Sequence, residues 1–435
     1  YAMTYGSPEF TGLPQQSPGG QFPAPFWWKA ANEPAARLQA FQKAEVDWQT
    51  ARTLPYWQNY ESSQQPLYYA LAGAWWRLEK IAGLTGLRAL YGLRFFNMLP
   101  VIAFVWLAHR IARLVFPENI FMRLGVPALA AIFPQQSFYS IQNDVLSPVC
   151  GGLVVFTLIQ LWHADAPGMR PGIFAGLAMA AAFLAKLGNA PLLAISALLV
   201  LAKIVCLHRT GKLRAAWPAM AALCICAALP TAAWLAWTKH AFGDYPGTAA
   251  KIAFITWTPK PFAEWWHHPL FTPQGFWTFL SELIAAFWQG EIHWHNAPFD
   301  VPLLEAGYVV ASLTFILLAL VHSRRAGGGQ RWMLWFSFAC LAAGVMFLAS
   351  LSIRFDFGIS PDPSRQHPYF IAGRLLTGAL IPFLLLFIHG FDRVLRHAPN
   401  TAKLTALAAL LLVFLAAEAV AMAPVFHSQY NWYHL

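Results

Sequence analysis

Apolar runs long enough to cross a bilayer, roughly 20 residues each, recur along this chain, and nothing else in it constrains the fold as tightly. They are read at about 90–114, 121–139, 145–163, 172–187, 189–207, 215–239, 302–322, 332–351, 370–391 and 403–423. Of the 435 residues, 58% are hydrophobic and only 11% charged, against about 25% charged in an ordinary soluble domain. Twenty Trp and thirteen Tyr suit aromatic belts at the two bilayer surfaces. The expectation is an all-α polytopic membrane protein with about ten transmembrane helices. The chain opens YAMTYGSPEFTG without a Met, so a further helix before Tyr1, an eleventh, is expected.

The net charge of +10 does not point to nucleic acid, because the basic residues form no stripe with interleaved aromatics. They sit in short loops: Arg110, Arg113 and Arg123; Arg170; Arg209, Lys212 and Arg214; Arg324, Arg325 and Arg331; Arg393, Arg396 and Lys403. These fall on alternate connections, which places them on the cytoplasmic side. The opposite side receives five parts: 1–89, an outer loop with interfacial helices; the short loop 139–145; the long loop 240–301 with an interfacial helix around FWTFLSELIAAFWQG; 352–369; and the C-terminal tail. Between them lie the spans of 90–239 and 302–435. The stretches 33–51 and 66–82 read as helices, the second too amphipathic for a span and suited to the interface. Cys150, Cys206, Cys224, Cys226 and Cys340 all lie in apolar stretches and read as inert core thiols.

Ionisable groups at bilayer depth cost about 2.5–3.5 kcal/mol on insertion scales, so each asks for a reason. Four groups on the outer side qualify. In NYESSQQPLYYALAG, Glu61 stands with Gln64, Gln65, Tyr68 and Tyr69 at the lip of an apolar segment. A solvated loop explains it blandly; a carboxylate whose pKa is raised by partial desolvation, and which serves as a base, explains it chemically. In SIQNDVLSP, Asn143 and Asp144 either cap the next helix or offer a second carboxylate on the same side. Lys186 and Asn189 in FLAKLGNAPLL mark a hairpin turn, with a lysine able to snorkel toward a phosphate. In SIRFDFGISPDPSRQHPYFIAGRLLTGALIPFLLL, Arg354, Arg365, His367 and Arg374 run against the positive-inside trend. They suit either an anion such as a lipid phosphate or internal pairing with Asp356 or Asp362.

The histidine pairs His267 with His268 and His293 with His295 are the one metal option, and no HExxH or CxxC spacing accompanies them. There is no GxxxxGK[ST], GxGxxG or GxSxG, so no nucleotide-driven chemistry and no organic cofactor is expected. A divalent metal stays open.

The order of these motifs resembles the GT-C superfamily of integral membrane glycosyltransferases, of the protein mannosyltransferase and aminoarabinose transferase type. Its poorly characterised bacterial relatives are nearest, and the resemblance covers nearly the whole chain. ESSQQPLYYALAG is similar to the family's motif of an acid, a His or Gln, and Pro-Pro-Leu-Tyr-Tyr. LRALYGLRFFNMLP is similar to its Arg-Leu-Pro helix start, and QNDVL to an Asn-Asp pair opening a later span. FWQGEIHWHNAP and HPYFIAGRLLTGALIPFLLL resemble elements of the long outer loop and a late Arg segment. Gln64 or Ser63 stands where the family carries His, and Gln65 where it carries the first proline. The family's principal acid follows a first transmembrane helix that this sequence does not contain.

The resemblance implies inverting transfer of a sugar from a polyprenyl-phosphate donor to an acceptor on the outer face of a bacterial inner membrane. Glu61 is the preferred base, with Asp47 and Asp144 as alternates. Arg354, Arg365, Arg374 and Lys186 would hold the phosphate, and Gln64, Asn143, Tyr68, Tyr69 and His367 would line the site. The rival is a non-catalytic scaffold or lipid-binding subunit that works with partner membrane subunits. A secondary transporter is weaker, since no pair of broken spans occupies matching places in two halves.

Overall fold

The computed structural model describes residues 63–426, apart from 85, 135–137, 139, 291–292, 295–296, 299–300, 326 and 359–362. Asp47, Glu61, His295, Asp362 and the stretch 33–51 lie outside the described residues. In chain order the helices are α1 (Leu67–Ile81), α2 (Gly86–Phe96), α3 (Met98–Val115), α4 (Ile120–Ala131), α5 (Ser147–His163), α6 (Met169–Ala185), α7 (Ala190–Arg209), α8 (Leu213–Phe242), α9 (Ala249–Phe254), α10 (Pro273–Gln289), α11 (Pro302–Ser323), α12 (Gly328–Arg354), α13 (Leu380–Val394) and α14 (Asn400–Phe426). The strands are two-residue pieces: β1 (Thr258–Pro259), β2 (His293–Trp294), β3 (Ala297–Pro298) and β4 (Phe355–Asp356). They pair antiparallel as β1 with β4 and β2 with β3.

Among the described residues, eight helical segments are long and apolar enough to cross a membrane. They match eight of the ten expected runs. The other two are α4 and α6, of 12 and 17 residues, or about 18 and 25 Å at 1.5 Å per residue. Both fall short of a hydrocarbon core of about 30 Å. Helix α4 is capped at its start, where the Met122 amide donates to Asn119 Oδ1 at 3.1 Å, and its apolar run closes in Phe133-Pro134.

Two segments form the centre of the bundle. The span 373–394 is 89% buried and 143–163 is 78% buried, whereas the other six lie between 22% and 39%. The outer ring therefore turns most of its apolar surface to lipid, which is why Leu, Val and Ile there are exposed without cost. Small residues let backbones meet inside this ring. Gly172 and Gly176 of α6 face the Ala219 and Leu223 carbonyls of α8. Gly151 of α5 leaves no room for a methyl against the Gly378 carbonyl, and Gly390 of α13 sits on the Phe315 carbonyl of α11.

Helix α10 departs from the expected interfacial helix. Its first half exposes Phe276 and Trp277, but its second half descends into the bundle. Trp288 is fully buried, stacks on Phe133 at 4.7 Å and Tyr308 at 4.9 Å, and donates from Nε1 to Ser312 Oγ at 2.8 Å. Ser312 lies about 15 Å into α11. Phe133 lies just beyond the end of α4, so α10 fills the outer part of the layer that α4 is too short to reach. Gly290, at φ 82°, then ends the helix in a conformation that suits only glycine.

Candidate functional site

The two central spans both open with 3-10 turns, Asn143–Leu146 and Gly373–Ala379. Between α6 and α7 a third 3-10 turn, Leu187–Asn189, packs against the 373–379 turn. Irregular backbone so close to the hydrocarbon carries polar groups that lipid cannot satisfy, and the polar side chains gather there. Lys186 pairs with Asp144, their side chains 9% and 3% exposed. Ser147 Oγ donates to Asn189 Oδ1 at 2.6 Å, and Asn189 Nδ2 donates to the Ala182 carbonyl at 2.8 Å. Gly378 lies against Asn189 so closely that a Cβ there would collide with Oδ1.

The start of α1 docks on the same place. Asn143 Nδ2 donates to Gln64 Oε1 at 3.3 Å. Tyr68 donates to Asn97 Oδ1 at 2.9 Å, and Asn97 Nδ2 donates to the Ser140 carbonyl at 2.7 Å. Burial pushes the Tyr68 phenol well up, so it remains a donor. Tyr69 is half-buried and meets Tyr68 edge-on with centroids 5.5 Å apart. Thus Gln64, Tyr68, Tyr69, Asn143, Asp144 and Lys186 converge, although 42 residues separate Lys186 from Asp144 in sequence. Arg374 is half-buried in the 373–379 turn beside them. Asp144 does not cap α5: it compensates Lys186. Lys186 does not snorkel outward as expected, because its charge is held inward by that carboxylate.

The other expected residues belong to a second, more exposed assembly built on the β1 and β4 pairing, with Thr258 opposite Asp356 and Pro259 opposite Phe355. Arg365 forks onto Asp356, Nε to Oδ1 and Nη2 to Oδ2 both at 2.9 Å, and the Gly358 amide adds a bond to Oδ1 at 3.0 Å. The Arg365 fork holds the Asp356 carboxyl below its usual range. His367 Nε2 lies 2.7 Å from Glu282 Oε2, and the Arg354 guanidinium stands over Trp265, 5.9 Å from the ring centre. His268 Nε2 donates to the Pro368 carbonyl at 3.0 Å, while Nδ1 accepts from the Leu270 amide at 3.1 Å. Burial pushes its pKa down, in keeping with a neutral ring. Both ring nitrogens are therefore committed within the protein, and no group of three or more His, Cys, Asp or Glu comes together among the described residues.

Asn97, Ser147 and Glu282 are participants the sequence reading passed over. Asn97 was open to discovery as the one amide in FFNMLP, an otherwise apolar stretch. Glu282 was not, because a single acid on an amphipathic helix looks solvated.

Among the described residues, eight spanning segments, six of them around a buried pair, define a multi-pass, all-α membrane protein. No family model, no curated protein and no solved structure matches the chain.

Proposed function

We propose that this protein transfers a sugar from a polyprenyl-phosphate donor to an acceptor at the outer face of a bacterial cytoplasmic membrane. The observation that carries the reading is the meeting of the Gln64 to Tyr69 motif with the Asn143-Asp144 and Lys186 turns, where the two central spans stop being helical. A donor fits such a place chemically: its prenyl tail lies among lipid-facing helices while its phosphate and sugar reach polar groups. Arg374, on the adjacent turn, supplies positive charge to the phosphate. The attacking hydroxyl loses its proton to Glu61, with Asp47 and Asp144 as alternates. Its oxygen bonds to the anomeric carbon from the face opposite the phosphate as the bond from that carbon to the phosphate oxygen breaks. The phosphate leaves with the electron pair, already an anion, so positive charge does the work a general acid does elsewhere.

The test uses native-membrane vesicles that carry the full chain and the outer-face acceptors, supplied with a radiolabelled polyprenyl-phosphate sugar. Release of polyprenyl phosphate is expected with the wild type and is expected to be abolished in Glu61→Gln and in Arg374→Ala. Full turnover in both variants sinks the assignment.

A second reading, a non-catalytic scaffold or lipid-binding subunit of a larger membrane complex, is favoured by one observation. Lys186 and Arg365 are already compensated, by Asp144 and Asp356. Donor binding without turnover in the wild type supports this second reading.

A further inference from the structure

Apart from the buried pair and its neighbours, the outer assembly encloses a cleft of about 390 Å³ between the β1 and β4 pairing and the turn at 262–269. Lys260, Glu264, His267, Asp356 and Arg365 line it, and none of the residues around Asp144 and Lys186 does. Its walls are fixed by bonds already made: the Arg365 fork and the Gly358 amide saturate Asp356, and His268 ties the turn to Pro368. Two charges are left over. The side chains of Lys260 and Glu264 enter no hydrogen bond or ion pair among the described residues. Lys260 nevertheless stands near enough for its charge to bear on Asp356 and His268.

The two successive 3-10 turns here, Phe262–His267 and Pro269–Phe271, share an apolar face. Phe262, Trp266 and Phe271 are 64%, 63% and 51% exposed, and their rings touch in a row, Phe262 to Trp266 at 5.9 Å and Trp266 to Phe271 at 5.7 Å. Phe276 and Trp277 extend the exposed aromatic surface along α10. In a protein of this class, exposed Trp and Phe beside a spanning bundle sit at the headgroup level. A cleft behind such a ridge opens where lipid headgroups are.

We propose that the cleft binds the headgroup of an outer-leaflet lipid that carries a phosphate diester and a primary ammonium. The phosphate lies on Lys260 and the outer edge of Arg365, and the ammonium on Glu264. A purely anionic headgroup leaves Glu264 opposed. A quaternary ammonium offers Glu264 no N–H.

The experiment is native mass spectrometry of the full chain released from nanodiscs of phosphatidylethanolamine, phosphatidylcholine and phosphatidylglycerol in equal parts. Preferential retention of phosphatidylethanolamine is expected. It should drop about tenfold or more in both Lys260→Gln and Glu264→Gln, the scale of one hydrogen bond to a charged group. Leu303→Gln, on an 84% exposed residue of α11 outside the cleft, should leave it unchanged. Equal or better retention of phosphatidylglycerol overturns the two-charge recognition. Full competition by soluble glycerophosphoethanolamine at the same concentration overturns the lipid as the source. Unchanged retention in both cleft variants overturns the site.

Discussion

The buried pair of Asp144 and Lys186 makes a prediction whose size follows from its surroundings. The two side chains are 3% and 9% exposed, so removing one partner strands the other charge where water does not reach it. A pair of unit charges at about 4 Å is worth about 4 kcal/mol at an effective dielectric of 20, and breaking a buried pair typically costs about 3–5 kcal/mol. Lys186→Met and Asp144→Leu are each expected to lose that much. The double variant is expected to lie within about 1 kcal/mol of the wild type, because apolar groups of similar volume replace a pair whose attraction was offset by desolvation. Reversible unfolding in bicelles, with all four proteins measured side by side, gives the cycle. Refutation is a double variant as unstable as the sum of the singles, since the two side chains would then act independently. Two single variants that each lose less than about 1 kcal/mol would refute it as well, because the site would then be wet.

Two further outcomes are expected. Gly378→Ala forces a methyl onto Asn189 Oδ1 and should cost about 1–3 kcal/mol, whereas Gly307→Ala in α11 meets nothing within 4 Å and should stabilise by about 0.5–1 kcal/mol; equal effects in the same unfolding assay would discredit the tight turn. For His268, burial depresses the pKa from its ordinary 6.5, so the fold keeps the neutral ring and its stabilisation is whole above pH 6.5. It is lost as pH falls through 6.5 and on through the lower folded value. Protonation also removes the Nδ1 acceptor of the Leu270 amide. Hydrogen exchange at Leu270, corrected for its intrinsic pH dependence, should quicken about fivefold across that fall, and a flat profile would contradict the assigned ring.

The spans were legible because twenty apolar residues in a row have one outcome in a bilayer. The shortness of α4 was legible too, in Phe133-Pro134 followed by Gln135, Gln136 and Ser137. The expected run 121–139 extends past that proline, beyond where α4 ends at Ala131. Asp144 and Lys186 were each conspicuous alone, as charges in apolar runs, yet their pairing was not. Contact between turns 42 residues apart depends on which helices become neighbours, and periodicity does not encode that. The depth of α10 was hidden for a different reason. An amphipathic pattern says that one face is covered and not whether lipid or protein covers it, so Phe287 and Trp288 looked interfacial until their partners Phe383 and Tyr308 were in view.

The same shortness explains where chemistry can be housed. A helix that stops about 12 Å short of a 30 Å core leaves backbone amides and carbonyls that must find partners in protein or in water held by protein. Here α4 and α6 both stop early, and α5 and α13 both begin with 3-10 turns at the same end. The shortfall is therefore collective, and it opens polar space beside the most buried helices rather than at the lipid boundary. Asn97, Asn143, Asp144, Ser147, Lys186 and Asn189 are all buried, and each costs least at such a place. A single long α4 that ran on past Ile132 would satisfy its own backbone and abolish the turn that presents Asn143 and Asp144. The polar network and the broken helices are thus one feature, and a variant that repairs the helix is expected to lose the site.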